Sequence, residues 1–343
     1  MKIKQYSLLA ALLVPISMPT ITNACSRLTY TAPDNIVVTG RSMDWFEDLQ
    51  TELWLFPAGM RRSGGSAPNS VTWTSKYGSI VASAYNLGGT DGVNTQGLNA
   101  NLLYLDSSNY GTPSAGRKNL SIYAWVQYTL DNYATVEEAV NKFSKEQLNM
   151  LAPKLPNGIV PTVHLSITDP SGDNAVFEYI DGELVVHHGK QYNVMTNEPA
   201  YDKQLALNDY WQRLNGAFLP GTSEPTDRFV RASYYLSTAP QAADNQKAVA
   251  IVMSIIRDVS APISASVSGK PNVATTIWRS AADLKHKVYF FENTDRPNIV
   301  WIDMNKLNLN AGAAVKKLPL LHHEIYAGEV NDKFVASPPY ITP

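Results

Sequence analysis

The sequence is poor in cysteine, since Cys25 is the one cysteine among 343 residues. An internal disulfide needs two thiols, so a disulfide-stapled fold is excluded. The remaining composition, 44% hydrophobic and 17% charged, is that of a globular protein with a large core. The formal net charge of −2 includes no basic block, so no nucleic-acid partner is expected.

Motifs of several enzyme classes are also missing. The sequence has no G-x-S-x-G elbow, no Walker loop and no G-x-G-x-x-G after a strand. Of the six histidines, two adjacent pairs occur, at 187–188 and 322–323. Strand neighbours point to opposite faces, so neither pair has the spacing of metal ligands. The sequence therefore predicts neither a metal nor a cofactor.

The first 24 residues have the pattern of a secretory signal peptide. Lys2 and Lys4 make a basic start, an apolar run covers residues 8–16, and the stretch ends in small residues at Ala24. The apolar run is shorter than the roughly 20 residues of a membrane span, so no span is predicted. We expect residues 1–24 to be removed from a periplasmic or secreted protein.

Cleavage after Ala24 would make Cys25 the first residue of the mature chain, and three interpretations of this cysteine are open. It could be an incidental thiol near a terminus. It could carry the lipid of a lipoprotein, although Thr22 is a poor match for the larger apolar residue usual at that position. It could also be a catalytic nucleophile, because an α-amine with a pKa of about 7.7–8.0 can accept the proton of a thiol with a pKa of about 8.5.

The residues after Cys25 predict a β-hairpin. A strand begins at Cys25, residues 33–35 carry the turn signal Pro-Asp-Asn, and a β-branched run over 36–39 forms the return strand. The antiparallel return is expected to bring residues 41–45 back beside Cys25.

The rest of the chain alternates between predicted strands and helices, with no linker to divide it. Helices are expected at 120–130, 135–143, 203–213, 227–237 and 247–259, the second opened by a capping box from Thr135 to Glu138. Further strands are expected at 79–85, 98–105, 163–168, 175–180, 183–187, 275–280, 287–292 and 299–303. Segments 57–69 and 106–119 are predicted loops and candidates for gating a pocket. We expect one α+β layered domain over residues 25–343 with two antiparallel sheets.

Four motifs together resemble the choloylglycine hydrolase family, the bile salt hydrolases and penicillin V acylases of the N-terminal nucleophile superfamily. They are Cys25 opening a strand, Arg41-x-x-Asp44-Trp45, Thr196-Asn197-x-Pro199 and Asp227-Arg228-Phe229. Any one alone is weak, since a lone charged residue is usually part of a surface ion pair and T-N-x-P is usually a turn. The resemblance implies a four-layer αββα sandwich and a cysteine amidohydrolase that forms an acyl-thioester. It also implies a homo-oligomer, in this family often a tetramer.

The resemblance also implies the roles of five residues. Cys25 is the nucleophile, with Arg41 and Asp44 beside it. A cation there favours the thiolate and a carboxylate can bind the α-amine. Asn197 offers a side-chain amide to the oxyanion, and Arg228 supports the polar network.

Two aromatic residues complete the set of candidate site residues. Tyr104 stands where penicillin acylases can have Tyr and many bile salt hydrolases have Asn, and the resemblance implies a main-chain N–H there as second oxyanion donor. Trp45 is either core packing or part of an aromatic wall for the acyl group.

The implied substrate is a small-molecule amide with a bulky apolar acyl group. The main expectation is hydrolysis of conjugated bile salts, with penicillin V acylase or acyl-homoserine lactone acylase activity by the same mechanism as the alternative. Tyr104 argues mildly for the alternative. The hypothesis from another class is an exported lipoprotein or binding module that has the fold without the chemistry.

Overall fold

The computed structural model describes residues 25–263, 274–296 and 298–343. The predicted signal peptide, residues 1–24, lies outside these ranges. Within them, no helix has both the length and the apolar character needed to cross a membrane.

The described part of the chain alternates between short strands and five helices. In chain order the strands are β1 (Ser26–Ala32), β2 (Ile36–Trp45), β3 (Leu53–Phe56), β4 (Arg61–Ser63), β5 (Thr72–Thr74), β6 (Ser79–Ala84), β7 (Gly88–Asn94), β8 (Asn99–Tyr104), β9 (Asn119–Ser121), β10 (Asn149–Leu151), β11 (Val163–Thr168), β12 (Asn174–Ile180), β13 (Glu183–His188), β14 (Val194–Met195), β15 (Thr275–Asp283), β16 (Val288–Asn293), β17 (Ile299–Asp303), β18 (Lys316–Leu318), β19 (Gly328–Glu329) and β20 (Val335–Ala336). The helices are α1 (Ile122–Asn132), α2 (Val136–Lys145), α3 (Tyr201–Gln212), α4 (Pro225–Thr238) and α5 (Asn245–Asp258).

Two large sheets form the middle of the molecule. Sheet A has the order β14-β1-β2-β15-β16-β17-β19, and sheet B the order β13-β12-β11-β8-β7-β6-β3-β18-β20. Helices α1 and α2 pack on sheet B, while α4 and α5 pack on sheet A and α3 packs on α4. The fold is therefore the four-layer αββα sandwich that the family resemblance implied.

The interior between the sheets is partly polar. Arg27 of β1 is fully buried, and its guanidinium donates to Asn101 Oδ1 and Asn174 Oδ1 in sheet B, each at 3.2 Å. Asp91 of β7 accepts from Asn101 Nδ2 at 2.6 Å and from the hydroxyl of Tyr289 in sheet A at 2.7 Å. Because buried polar groups need partners, these bonds hold the two sheets in one relative position.

The predicted hairpin from Cys25 is confirmed. Strands β1 and β2 pair antiparallel with Ser26 opposite Ser42, which places Cys25 opposite Met43. The capping box is confirmed as well, since the Thr135 side chain accepts from the main-chain N–H of Glu138.

The differences from the sequence-based prediction include a short ribbon outside the two large sheets and strand β7 of sheet B. Residues 57–69 are not wholly loop, because Arg61–Ser63 pairs with Thr72–Thr74 as a short ribbon. Strand β7 was missed because its sequence, GGTDGVN, has low strand propensity. The glycines are needed there: a Cβ on Gly88 would lie 2.3 Å from the carbonyl oxygen of Tyr123, where α1 crosses the strand.

Candidate active site

Cys25 lies directly before β1, with its sulfur in a buried setting. The residue is 2% exposed, and its Sγ lies 3.7 Å from Met43 Sδ and 3.7 Å from the main-chain oxygen of Asp44. Its main-chain nitrogen lies 2.5 Å from Asn197 Oδ1. The hairpin register explains the first two contacts, and a separate segment provides the third.

Asn197 follows β14 of sheet A and connects it to the end of strand β8 in sheet B. Its Oδ1 accepts from the Cys25 nitrogen and, at 3.1 Å, from Arg228 Nη2. Its Nδ2 donates to the main-chain oxygen of Tyr104 at 2.7 Å. Two donors at one end and an acceptor at the other fix the orientation of the amide, whose second N–H is a further donor at this site.

The main-chain N–H of Tyr104 faces away from β11. Tyr104 is opposite Val163, and its neighbour Leu105 donates to Thr162 O at 2.9 Å, so Tyr104 occupies a non-hydrogen-bonded pair of the β8–β11 ladder. The N–H and C=O of a strand residue point to the same side, and the Tyr104 carbonyl bonds to Asn197. The Tyr104 N–H therefore lies on the same side of β8 as the Asn197 amide.

Arg228 reaches the same place from α4. Its Nη1 donates to the Cys25 carbonyl oxygen at 2.6 Å and to Ser26 Oγ at 2.5 Å. The side chain has no exposed surface and lies 4.0 Å from Asp44 Oδ2. It therefore holds the main chain of the cysteine and partly balances a buried carboxylate.

Asp44, at the end of β2, is a buried carboxyl with hydroxyl donors. Ser42 Oγ donates to its Oδ2 at 3.3 Å, and Thr276 Oγ1 donates to its Oδ1. Burial raises the pKa of Asp44 to about 6, although Arg228 and the two hydroxyl groups lower it.

The contact of the Cys25 nitrogen differs from the one that the resemblance implied. The nitrogen bonds to Asn197 and not to the carboxylate of Asp44. Asp44 acts on this segment through Ser42, which accepts from the Ser26 N–H at 3.2 Å. The reason is that Asp44 and Cys25 are not directly opposite in the hairpin register, which pairs Ser26 with Ser42.

The raised pKa of Asp44 predicts a pH dependence of stability. Between pH 3.8 and about 6, the folded protein keeps a proton that the unfolded chain has lost. The stabilisation of the folded state by this bound proton is fully present below pH 3.8 and is lost as the pH rises through about 6. We expect the free energy of unfolding of the wild type, minus that of Asp44→Asn, to fall by about 3 kcal/mol across this window. Denaturant titrations across the same window test it, and a difference that rises with pH would contradict the raised pKa.

Arg41 lies opposite Arg27 in the hairpin, next to the Ser26–Ser42 pair. Its charge acts on the Cys25 thiol without a direct contact. Its Nη2 donates to Leu102 O at 2.6 Å and lies 3.7 Å from Met43 Sδ, and its guanidinium stacks 5.1 Å from the ring centre of Trp278. Burial raises the pKa of the Cys25 thiol, and the charge of Arg41 opposes this shift without cancelling it. A proton acceptor is therefore needed to form the thiolate at neutral pH.

Cys25 lines an apolar pocket with a cavity volume of about 70 Å³. Its walls include Trp45, Leu49, Tyr85, Tyr104, Leu155 and Val163. Trp45 both packs in the core and forms a wall, since it is 6% exposed and its ring lies 6.0 Å from that of Tyr104.

The two candidate gating loops do not line the pocket. Neither 57–69 nor 106–119 contributes a lining residue; the turn after β6 and the segment before β11 line the pocket instead. Three residues of the first loop form strand β4 of the β4–β5 ribbon. The turn of this ribbon pairs with β9 through Ser70 and Asn119.

Three residues of the site were missed by the sequence reasoning. Met43 and Ser42 could have been found from the hairpin register, which places them opposite Cys25 and Ser26. Thr276 has no sequence signal, because it is 232 positions from the carboxylate that it contacts.

The histidines stand apart from the cysteine. His164 pairs with Glu178 at 2.9 Å, and His188 pairs with Asp173 at 2.8 Å. Across residues 25–263, 274–296 and 298–343, no group of three or more His, Cys, Asp or Glu side chains could hold a metal ion.

Two curated proteins are similar to this chain over most of its length. A penicillin V acylase from Pectobacterium atrosepticum is 43% identical over 343 residues, covering 92% of this chain and 91% of the relative. A bile salt hydrolase/transferase from Clostridium perfringens is 23% identical over 317 residues, covering 83% of this chain and 94% of the relative.

Solved structures are similar as well. The penicillin V acylase from Agrobacterium tumefaciens superposes with a TM-score of 0.87 and 47% identity, covering 93% of this chain and 99% of that one. A mutant of the conjugated bile acid hydrolase from Clostridium perfringens superposes with a TM-score of 0.73 at 22% identity, covering 89% and 98%, and shows the fold alone.

The family model described as "Linear amide C-N hydrolases, choloylglycine hydrolase family" matches residues 25–317. This match covers most of the chain, and it begins at the cysteine around which the polar contacts converge. The chain therefore belongs to the choloylglycine hydrolase family and is a hydrolase of linear amide C–N bonds.

Proposed function

We propose that this protein is an acylase of the penicillin V acylase type that acts through Cys25. The observation that carries the chemistry is that Cys25 lines an apolar pocket together with Tyr104, while its main-chain nitrogen contacts the Asn197 side chain. The substrate class is supported by identities of 43% and 47% to penicillin V acylases against 23% and 22% to bile salt enzymes. These identities favour the alternative substrate over the bile salts that the sequence motifs led us to expect.

The nucleophile is proposed to arise by cleavage between Ala24 and Cys25, with export to the periplasm or the medium. The family match begins at residue 25, which supports this boundary. The freed α-amine would lie against Asn197 Oδ1, where the main-chain nitrogen is held at 2.5 Å. An amine there is the proton acceptor that the buried thiol requires.

Acylation then proceeds in two steps. The amine takes the thiol proton, and the sulfur attacks the carbonyl carbon of the amide. The oxyanion accepts hydrogen bonds from the second N–H of Asn197 and from the Tyr104 main chain. As the C–N bond breaks, the ammonium group returns its proton to the leaving nitrogen, which leaves an acyl-thioester on Cys25.

Deacylation uses the same groups in reverse order. Water gives a proton to the free amine and attacks the thioester carbon, and the same two N–H groups stabilise the second oxyanion. The C–S bond breaks, the thiolate regains the proton, and the carboxylic acid leaves.

The pocket suits an aryl acyl group. Penicillin V carries a phenoxyacetyl group, and the rings of Trp45 and Tyr104 offer faces against which a phenyl ring can pack. The accessible surface of the pocket is almost entirely apolar, so the acyl group gains mainly from desolvation.

A substrate panel tests this assignment. We expect kcat/KM for penicillin V to exceed that for glycocholate by about tenfold or more, as is usual for a poorly fitting apolar group. Release of the free amine products is followed by chromatography, with N-acyl homoserine lactones as the third substrate class. A preference for glycocholate would overturn the substrate, and no hydrolysis of any amide would overturn the activity.

The maturation step has its own test. Intact-mass measurement of protein exported by a Gram-negative host is expected to give a chain that begins at Cys25 without added lipid. A diacylglyceryl-modified cysteine, or any residue left before it, would contradict the nucleophile and favour the lipoprotein hypothesis. Sedimentation of the same sample reports whether the chain forms the tetramer that its family suggests.

A further inference from the structure

Glu47 is flanked in sequence by residues of the acyl pocket and belongs to none of the catalytic contacts. It lies in the segment after β2, between Trp45 and Leu49, which both line the pocket. One carboxylate oxygen, Oε1, accepts from the hydroxyl of Tyr85 and, at 2.7 Å, from Asn157 Nδ2. A single oxygen therefore joins three separate segments of the chain.

The first of the joined segments is the turn between β6 and β7, which contains Tyr85. The next residue, Asn86, accepts from Trp54 Nε1 at 2.9 Å and donates to Glu52 Oε2 at 2.8 Å. These bonds anchor the turn to β3 and to the residue directly before it. The Tyr85 ring itself lines the pocket.

The second joined segment is the turn at residues 155–159, which contains Asn157. It is closed by its own bonds, with Leu155 N donating to Ile159 O at 2.7 Å and Ile159 N donating to Asn157 Oδ1 at 3.0 Å. Leu155 lines the pocket, while Asn157 is exposed and does not. The Asn157 amide thus connects a small self-contained turn to Glu47.

We propose that Glu47 is a positioning residue that sets acyl-group selectivity by holding these three segments together over the pocket; the inference rests on the proposed acylase function. With the carboxylate in place, Leu49, Tyr85 and Leu155 stay close enough to enclose a compact aryl acyl group. Without it, the segments separate and the pocket accepts longer chains. The effect reaches the substrate through the walls and leaves the Cys25 machinery unchanged.

The test compares phenoxyacetyl and decanoyl amides of one amine. We expect Glu47→Ala to lower the ratio of kcat/KM for phenoxyacetyl over decanoyl by about tenfold, as for loss of a charge-assisted bond. The change should appear in KM, with kcat for the phenoxyacetyl amide within about twofold of wild type. Glu47→Gln keeps the oxygen that accepts both bonds, so we expect it to retain the wild-type ratio.

A residue outside the pocket provides the sharper test. Asn157→Asp keeps the acceptor for Ile159 N but removes the donor and faces Glu47 with a like charge, so we expect the same shift as Glu47→Ala. Combining it with Glu47→Gln exchanges donor and acceptor across the pair, and we expect the double variant to restore the ratio. The control is Asp48→Ala, an exposed neighbouring carboxylate that accepts from Gln50 N at 2.8 Å and should change nothing.

The outcomes separate this inference from the proposed function. If wild type cleaves neither amide, the acylase function fails. If wild type cleaves them and both Glu47→Ala and Asn157→Asp keep its ratio, the role of Glu47 fails and the acylase function stands. A shift in both variants that the exchanged pair does not reverse would also overturn the proposed link.

Discussion

Replacing Cys25 by alanine is expected to abolish amide hydrolysis, with kcat/KM falling by at least about 10³-fold. Its thiol is the one thiol in the chain, and Cys25 lines the pocket that is proposed to hold the acyl group. The main-chain contacts of residue 25 with Asn197 and Arg228 do not involve the sulfur, so the substitution leaves them in place. Turnover of penicillin V by purified, correctly processed protein gives the measurement.

Processing and folding are the controls for this variant. Its mass must show a chain that begins at residue 25, and its free energy of unfolding should stay within about 1 kcal/mol of wild type, since one buried sulfur is lost. Mass spectrometry of wild type quenched during turnover should show a phenoxyacetyl group on Cys25. Equal turnover by wild type and Cys25→Ala would mean that another group is the nucleophile.

The second large effect is expected at Asn197. The variant Asn197→Asp keeps an oxygen that can accept from the Cys25 nitrogen and from Arg228 but removes both N–H donors. We expect kcat to fall by about 10² to 10³-fold, the usual cost of one lost oxyanion donor, with a smaller change in KM. Because the carboxylate faces a buried arginine, its added charge has a partner.

The matched control is Asn193→Asp, which adds the same charge four residues earlier in the segment that leads into β14. Asn193 is half-buried and lies beside a different cavity, away from the cysteine. We expect its kcat to remain within about twofold of wild type. A kcat for Asn197→Asp within threefold of wild type would remove the side-chain amide from the oxyanion site and leave the Tyr104 N–H as donor.

Several predictions from sequence succeeded because their cause is local. The hairpin after Cys25 follows from a turn signal and a β-branched run, and α2 begins where Thr135 caps it. Strand β7 shows the limit of such reasoning. Its glycines argue against a strand until the close approach of α1 is known.

The sequence by itself determined the family, the position of Cys25 next to the Arg41–Trp45 segment, and the residue types that the chemistry needs. Only the tertiary structure decided what these residues touch. Asn197 meets Cys25 across 172 positions and orients its amide between two sheets, a placement that depends on the packing of every layer between them. The walls of the pocket and the contacts of Glu47 could not be predicted from the sequence either, because hydrogen bonds between turns distant in sequence leave no periodic pattern in the chain.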